Sequence, residues 1–189
     1  MLEKVETIKK QKKLLEVLST RKAKYIIGTT LLSGLGIALP RVFHVLAGST
    51  AGATFLPMHI AVLIAALTFG AISASVVAGS SVIFSYLLTG MPTISRLPYM
   101  LIELVIYAVL LSLFNKKFNS YISLIATMIL GRVLYAGILA IAINVCGLPT
   151  YGISVIQSIQ TGIPGLAIQI ICIPFIAKFM NERLNLKND

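Results

Sequence analysis

Charged side chains are scarce in this sequence, and their scarcity excludes a soluble globular domain. Only 12% of the 189 residues are charged, whereas 57% are hydrophobic. Soluble domains usually carry about a quarter charged residues, because the surface that they expose must be polar enough for water. A chain of this length could not bury so much apolar surface in water. The mean hydropathy of +0.93 therefore indicates an integral membrane protein.

The signatures of several catalytic classes are also missing from the sequence. It contains no Gly-x-x-x-x-Gly-Lys-Ser/Thr phosphate loop, so the chain alone does not encode an ATP-driven pump. It contains neither a Gly-x-Ser-x-Gly motif nor paired carboxylates. The two cysteines, Cys146 and Cys172, lie in separate apolar stretches without metal-ligand spacing. We predict that the chain is not an enzyme and has no cofactor or bound metal.

The apolar residues form six blocks, which predict an all-α membrane protein with a six-transmembrane-helix bundle. The blocks are continuous and lack the period-two alternation of a membrane β-barrel. A helical span needs about 20 residues, so the first two blocks are short. The blocks lie at residues 25–40, 55–70, 72–89, 98–114, 121–145 and 163–180. We assign residues 1–24 to a basic segment with an interfacial helix, 25–180 to the membrane domain and 181–189 to a tail.

Basic residues are concentrated on one predicted side of the membrane. Eight of the sixteen lysines and arginines fall within the first 24 residues. If the N-terminus is cytoplasmic, thirteen basic residues lie inside, whereas the outer loops hold only Arg41 and Arg96. Basic segments resist translocation and bind the anionic cytoplasmic leaflet. Both termini are therefore predicted to be cytoplasmic, and no aromatic-interleaved basic face points to nucleic acid.

Two ionisable residues lie inside the predicted spans. Glu103 is about five residues into the fourth span, and Arg132 is near the middle of the fifth. A charge at the bilayer centre costs at least ~2.5–3.5 kcal/mol, so it normally faces a cavity or a partner. Straight helices would separate the depths of these two residues by roughly 10 Å. They either line a binding site or form a contact that stabilises the bundle.

The predicted outer loops carry most of the glycine, proline and hydrogen-bonding residues, as a cavity that opens outward would require. The first of these loops runs from Pro40 through a small-residue stretch at Ala47–Ala53 to His59, and it contains both histidines, His44 and His59. A metal site is the alternative for the histidines, but they lack ligand spacing. We predict that a small-molecule site is lined by seven residues: His44, His59, Tyr99, Glu103, Arg132, Asn144 and Gln169.

The first span carries small residues at helical spacing: Thr30, Gly34 and Ala38. Small residues one turn apart let another helix approach closely, and dispersion forces then stabilise the contact within lipid. This small-residue ridge is predicted to dock a partner subunit, or alternatively to pack inside the same bundle.

A set of short motifs in this chain resembles the substrate-binding (S) components of energy-coupling factor (ECF) vitamin transporters. Two residues depart from the family pattern, because Ala61 stands where proline is expected and Ala108 where glycine is expected. The resemblance covers nearly all of the chain after residue 25. The motifs are His44 followed by Phe55-Leu56-Pro57-Met58-His59-Ile60, Leu88-Thr89-Gly90-Met91-Pro92, Glu103-Leu104-x-x-Tyr107, Gly131-Arg132, and Gly162-Ile163-Pro164-Gly165-x-x-x-Gln169 with Pro174.

The resemblance implies a mechanism as well as a fold. An S component binds one micronutrient with high affinity in an outward-facing cavity under a lid made by the first outer loop. It works with a membrane scaffold subunit, which would contact the small-residue ridge, and with two ATP-binding subunits. A stand-alone secondary transporter or channel is the alternative, although the sequence shows no internal repeat and no row of intramembrane acids. A membrane enzyme is a third possibility.

The predicted topology can be tested by cysteine labelling. Cysteines introduced at Thr50 and Thr93 are expected to react with a membrane-impermeant reagent added outside intact cells, because the charge count places both outside. A cysteine at Asn119 is expected to stay unlabelled until the cells are opened. Labelling of Asn119 alone in intact cells would reverse the topology.

Overall fold

The computed structural model describes residues 21–94, 96–144 and 155–184, and within these ranges every regular element is an α-helix. The all-α prediction is therefore confirmed for this part of the chain. We number its six helices as follows: α1 Arg21–Phe55, α2 Pro57–Thr68, α3 Ala71–Thr89, α4 Leu97–Phe114, α5 Ser120–Asn144 and α6 Val155–Leu184.

Five of the six helices are long and apolar enough to cross a membrane, as in a multi-pass membrane protein. The exception is α2, whose 12 residues span only about 18 Å, less than the ~30 Å hydrocarbon core. The membrane-capable segments are Lys22–Leu46, Ala71–Thr89, Leu97–Phe114, Ser120–Ile141 and Thr161–Leu184.

The first helix is longer than predicted, and the expected outer loop after Pro40 is mostly helical. Pro40 lies inside α1, whose 35 residues break from helical geometry at Gly48 (φ 81°, ψ 178°). Membrane helices tolerate proline where neighbouring groups satisfy the freed backbone, so a proline alone does not end a span. The left-handed φ at Gly48 suits glycine and divides α1 into two helical segments.

The ends of the membrane domain also differ from the prediction. The last helix begins at Val155 rather than residue 163 and continues through Pro164 and Pro174 to Leu184. Residues 21–24 of the predicted N-terminal segment belong to α1, and residues 181–184 of the predicted tail belong to α6. Residues 1–20, with the predicted interfacial helix, and residues 185–189 lie outside the described residues.

The short helix α2 lies at the centre of the bundle. Eleven of its 12 residues are buried, and it packs against α1, α3, α4 and α6. A helix that is hydrophobic on every side belongs in such a central position. Val62 and Ala65 are completely buried there. Helix α2 thus forms the centre of the apolar core.

A tight turn joins α2 to α3 at the predicted joint. The N–H groups of Phe69 and Gly70 both donate to the Ala65 carbonyl, at 2.7 and 3.2 Å. Gly70 has a φ of 84°, which glycine adopts without steric cost. The turn therefore reverses the chain within two residues and places α2 and α3 side by side.

Two contacts bring the two ends of the described chain to the same end of the bundle. Lys24 Nζ donates to the Leu184 carbonyl at 3.0 Å, where a cation stabilises the terminus of a helix. The Tyr25 and Phe69 rings pack edge to face, with centroids 5.3 Å apart. The start of α1, the α2–α3 turn and the end of α6 therefore lie together. We call this the basic end, because its exposed cations include Lys22, Lys116, Lys117, Lys178 and Arg183.

Helix α1 has small residues on both its inner and outer sides. Gly36 faces inward, where an added Cβ would lie 2.9 Å from the Ser81 Cβ. The small-residue ridge is different: Thr30, Gly34 and Ala38 are exposed, and a Cβ at Gly34 would meet nothing within 4 Å. The ridge thus lies on the outside of the bundle.

This difference predicts opposite effects of the same substitution. Gly36→Ala is expected to destabilise the protein by about 1–3 kcal/mol, because the new methyl group overpacks the contact with α3. The control, Gly34→Ala, is expected to be neutral or to stabilise by up to about 1 kcal/mol through helix propensity. Thermal unfolding of both variants in detergent would check this, and equal melting temperatures would contradict it.

Candidate functional site

A buried ion pair joins α4 to α5. Arg132 Nη1 lies 2.9 Å from Glu103 Oε1, and the two side chains are only 8% and 11% exposed. Buried charges of opposite sign are normally paired, because an isolated charge in a medium of low dielectric constant is costly. The structure therefore brings together the two ionisable residues that the sequence placed inside the spans.

The two residues lie at the same depth, contrary to the separation of roughly 10 Å inferred from the sequence. That inference measured depth from the outer ends of spans four and five. Residues 115–119 join α4 to α5 at the basic end, so the two depths are counted from there. From there Glu103 is about 17 Å along α4 and Arg132 about 18 Å along α5. Helix α5 is longer and extends farther at the opposite end.

His59 completes a group that we call the charged cluster, consisting of His59, Glu103 and Arg132. Its Nε2 atom is 3.7 Å from Glu103 Oε1, which is within ion-pair range but too long for a hydrogen bond. Neither ring nitrogen of His59 has a hydrogen-bond partner among the described residues. Since His59 is 4% exposed, these nitrogens hold unused hydrogen-bonding capacity, which costs about 1–3 kcal/mol when it is buried.

Tyr107 packs beneath the charged cluster, although it was not among the predicted site residues. Its ring meets the His59 ring edge to face, with centroids 5.4 Å apart. An added Cβ at Gly131 would lie 3.1 Å from the Tyr107 ring, so this glycine lets α5 approach closely beside Arg132. The signal that could have identified Tyr107 is its position one turn after Glu103 on the same helix face.

Tyr99 lies one turn from Glu103 in the other direction. It forms a second, smaller buried group with Tyr135 and Leu139. Tyr135 follows Arg132 by three residues, so the same faces of α4 and α5 carry both groups. The ion pair is therefore bordered by tyrosine on the side away from the basic end.

Three other predicted site residues lie apart from the ion pair. Gln169 is 1% exposed, and its amide donates to the backbone carbonyls of Phe55 and Leu56. His44 is half-buried on α1, and the described residues give it no contact with the charged cluster. Asn144 is exposed, and its side-chain amide donates to the Ala140 carbonyl of its own helix at 2.9 Å.

The chemistry of the charged cluster is that of a polar binding site. The described residues include no group of three or more histidine, cysteine, aspartate or glutamate side chains that could hold a metal ion. The charged cluster instead offers a carboxylate, a guanidinium and an imidazole within an apolar bundle. Such groups can hydrogen-bond a small polar molecule and fix its orientation.

Searches against protein-family models, curated proteins and solved structures found no match to this chain.

Breaking the ion pair is expected to be more damaging than removing both charges. Glu103→Gln and Arg132→Gln should each destabilise the protein by about 3–5 kcal/mol, because each leaves an uncompensated buried charge or a poorly paired partner. The double variant should be more stable than either single variant, because it leaves neither charge of the pair without its partner.

Unfolding by detergent titration would measure the cycle. Glu182→Gln, the same change at an exposed position on α6, is the control and should alter stability by less than about 0.5 kcal/mol. Strictly additive effects of the two cluster variants would show that the pair contributes no coupling energy.

Proposed function

We propose that this chain is the substrate-binding component of an ECF-type transporter in the cytoplasmic membrane, with both termini in the cytoplasm. In this role it binds a vitamin or a vitamin precursor with high affinity. A scaffold subunit and two ATP-binding subunits then drive uptake. The motifs around His59, Glu103 and Arg132 give the family resemblance, and the three side chains that they contribute lie together in the fold.

The charged cluster is the main support for a binding role. An intramembrane ionisable residue is costly and usually functional, and here three meet at the junction of α2, α4 and α5. The Glu103 side chain keeps 11% of its surface open, so the pair is not fully sealed by apolar neighbours. The unused hydrogen-bonding capacity of His59 favours a polar ligand over a purely structural contact.

The exposed small-residue ridge is a second, independent support. Thr30, Gly34 and Ala38 form a shallow strip on the outside of α1, where a partner helix could approach closely. This is the face that the family resemblance assigns to scaffold docking.

A stand-alone, proton-coupled transporter is the alternative function. The observation that favours it is the proximity of His59 to Glu103, 3.7 Å between the nearest atoms, because His–carboxylate pairs carry protons in membrane pumps. Purification from native membranes separates the two proposals. Co-purifying ATP-binding subunits would support the first, whereas substrate flux by the chain alone in liposomes would overturn it.

The docking role of the ridge predicts a selective defect. Gly34→Leu should abolish capture of the ATP-binding subunits and transport, because the added side chain would push a docked helix away. Binding of the ligand that co-purifies with the wild-type protein should stay near normal.

Gly137→Leu is the matched control, since Gly137 is also exposed and a Cβ there would meet nothing within 4 Å. It should retain both subunit capture and ligand binding. If Gly34→Leu lost ligand binding and assembly equally, or if Gly137→Leu lost assembly as well, the ridge would not be a specific docking face.

A further inference from the structure

The side chain of Gln169 contacts the turn between α1 and α2 rather than another side chain. Its Nε2 atom donates to the Phe55 carbonyl at 3.1 Å and to the Leu56 carbonyl at 3.3 Å. Carbonyl groups at the end of a helix lack partners within that helix and need them from elsewhere. Gln169 thus supplies from α6 the donors that the end of α1 requires.

The turn needs such support because its backbone is unusual. Leu56 has φ 48° and ψ 49°, a left-handed conformation that residues other than glycine seldom adopt. Strained backbone of this kind persists only where the surrounding structure holds it in place. Pro57 follows directly and restricts the chain further.

Gly165 lies one turn before Gln169 on α6 and touches the same turn. An added Cβ at Gly165 would lie 2.8 Å from the Phe55 Cα and 2.9 Å from its carbonyl carbon. Because these are backbone atoms, they cannot rotate away. Gly165 and Gln169 together hold the turn against α6.

The turn between α1 and α2 is connected directly to the charged cluster. The Leu56 carbonyl, which accepts from Gln169, also accepts from the backbone N–H of His59 at 3.0 Å. His59 in turn faces Glu103 from the first turn of α2. Any shift of the turn would therefore move the His59 ring relative to the ion pair.

We propose that Gln169 is a positioning residue that sets His59 against Glu103 through the α1–α2 turn. This role differs from the direct ligand contact predicted from the sequence. The positioning is a property of the protein alone. Its consequence, a tighter site for the ligand, rests on the proposed function.

The test replaces the donor and follows His59 without using a transport substrate. Gln169→Met keeps a similar length but removes both hydrogen bonds. Asn181→Leu is the matched control, because Asn181 also lies on α6 and its side-chain amide donates to a carbonyl of α2, that of Leu67, at 3.5 Å. Two readouts apply to the folded protein: hydrogen exchange at the His59 amide, and modification of the His59 ring by diethyl pyrocarbonate.

In Gln169→Met the His59 amide is expected to exchange at least about tenfold faster, since two net hydrogen bonds are lost. The His59 ring is expected to react several-fold faster with diethyl pyrocarbonate. Asn181→Leu should leave both rates at the wild-type value, even if it lowers the melting temperature. Gly165→Ala, which displaces the turn while keeping the amide, should raise both rates as Gln169→Met does.

Unchanged rates in folded Gln169→Met, or equal increases in Asn181→Leu, would overturn the positioning role. Should Gln169→Met fail to fold, Gly165→Ala decides the question by the same two rates. Failure of the proposed function would appear elsewhere, as the absence of ATP-binding subunits from the purified wild-type protein, and would leave these rates unaffected.

Discussion

The buried Glu103–Arg132 ion pair is the interaction on which the arrangement of the inner helices depends. A single charge in this apolar bundle would be strongly destabilising, so each residue requires the other within hydrogen-bond distance. That requirement fixes the register of α4 against α5, which are joined at the basic end and packed closely at Gly131. A shift of one helical turn, about 5.4 Å, would separate the charges. The pair thus stabilises the correct register of α4 against α5, and it is also a candidate binding group.

The short helix α2 makes this burial feasible. It is too short to cross a bilayer alone, so its two ends lie within the bundle and need polar partners there. Helix α6 supplies one at each end: Gln169 donates at the start of α2 and Asn181 near its end. These two residues are twelve positions apart, which is about 18 Å of helix and equals the length of α2. The side-chain amides of α6 therefore contact the central helix at both of its ends, and only the Gln169 contact lies on the His59 side.

Much of the fold could be predicted from the sequence, because continuous apolar runs specify helices directly. The six blocks correspond to the six helices, and the α2–α3 turn lies at Gly70 as expected. The errors arose where a local signal was overridden by its surroundings. Pro40 was interpreted as the end of a span, but the chain continues as helix to the break at Gly48.

The site was less accessible to sequence reasoning, since it depends on relations between helices. Hydropathy singled out Glu103 and Arg132, because ionisable residues stand out in apolar segments, and His59 was singled out by its place at the predicted first outer loop. The relative depth of Glu103 and Arg132 depends on which helix ends are level, and the sequence does not encode that directly. The ligand contact of Gln169 stays a prediction, whereas the contact of its amide nitrogen with two backbone carbonyls was not predicted. That contact depends on the course of the α1–α2 turn, which the sequence does not indicate.

If the chain acts alone, the outer face of α1 loses helix stability at Gly34 without a compensating contact. Glycine within a helix is less favourable than alanine by about 1 kcal/mol, and Gly34 gains no contact inside the bundle in return. The inner glycine Gly36 is different, since its lack of a side chain permits the contact with Ser81. If this face only contacted lipid, larger apolar side chains would suit it as well as Thr30, Gly34 and Ala38 do, because lipid tails do not drive helices together. A helix docked against Thr30, Gly34 and Ala38 would supply the missing compensation through close packing, which is why we favour an assembled transporter over a protein that works alone.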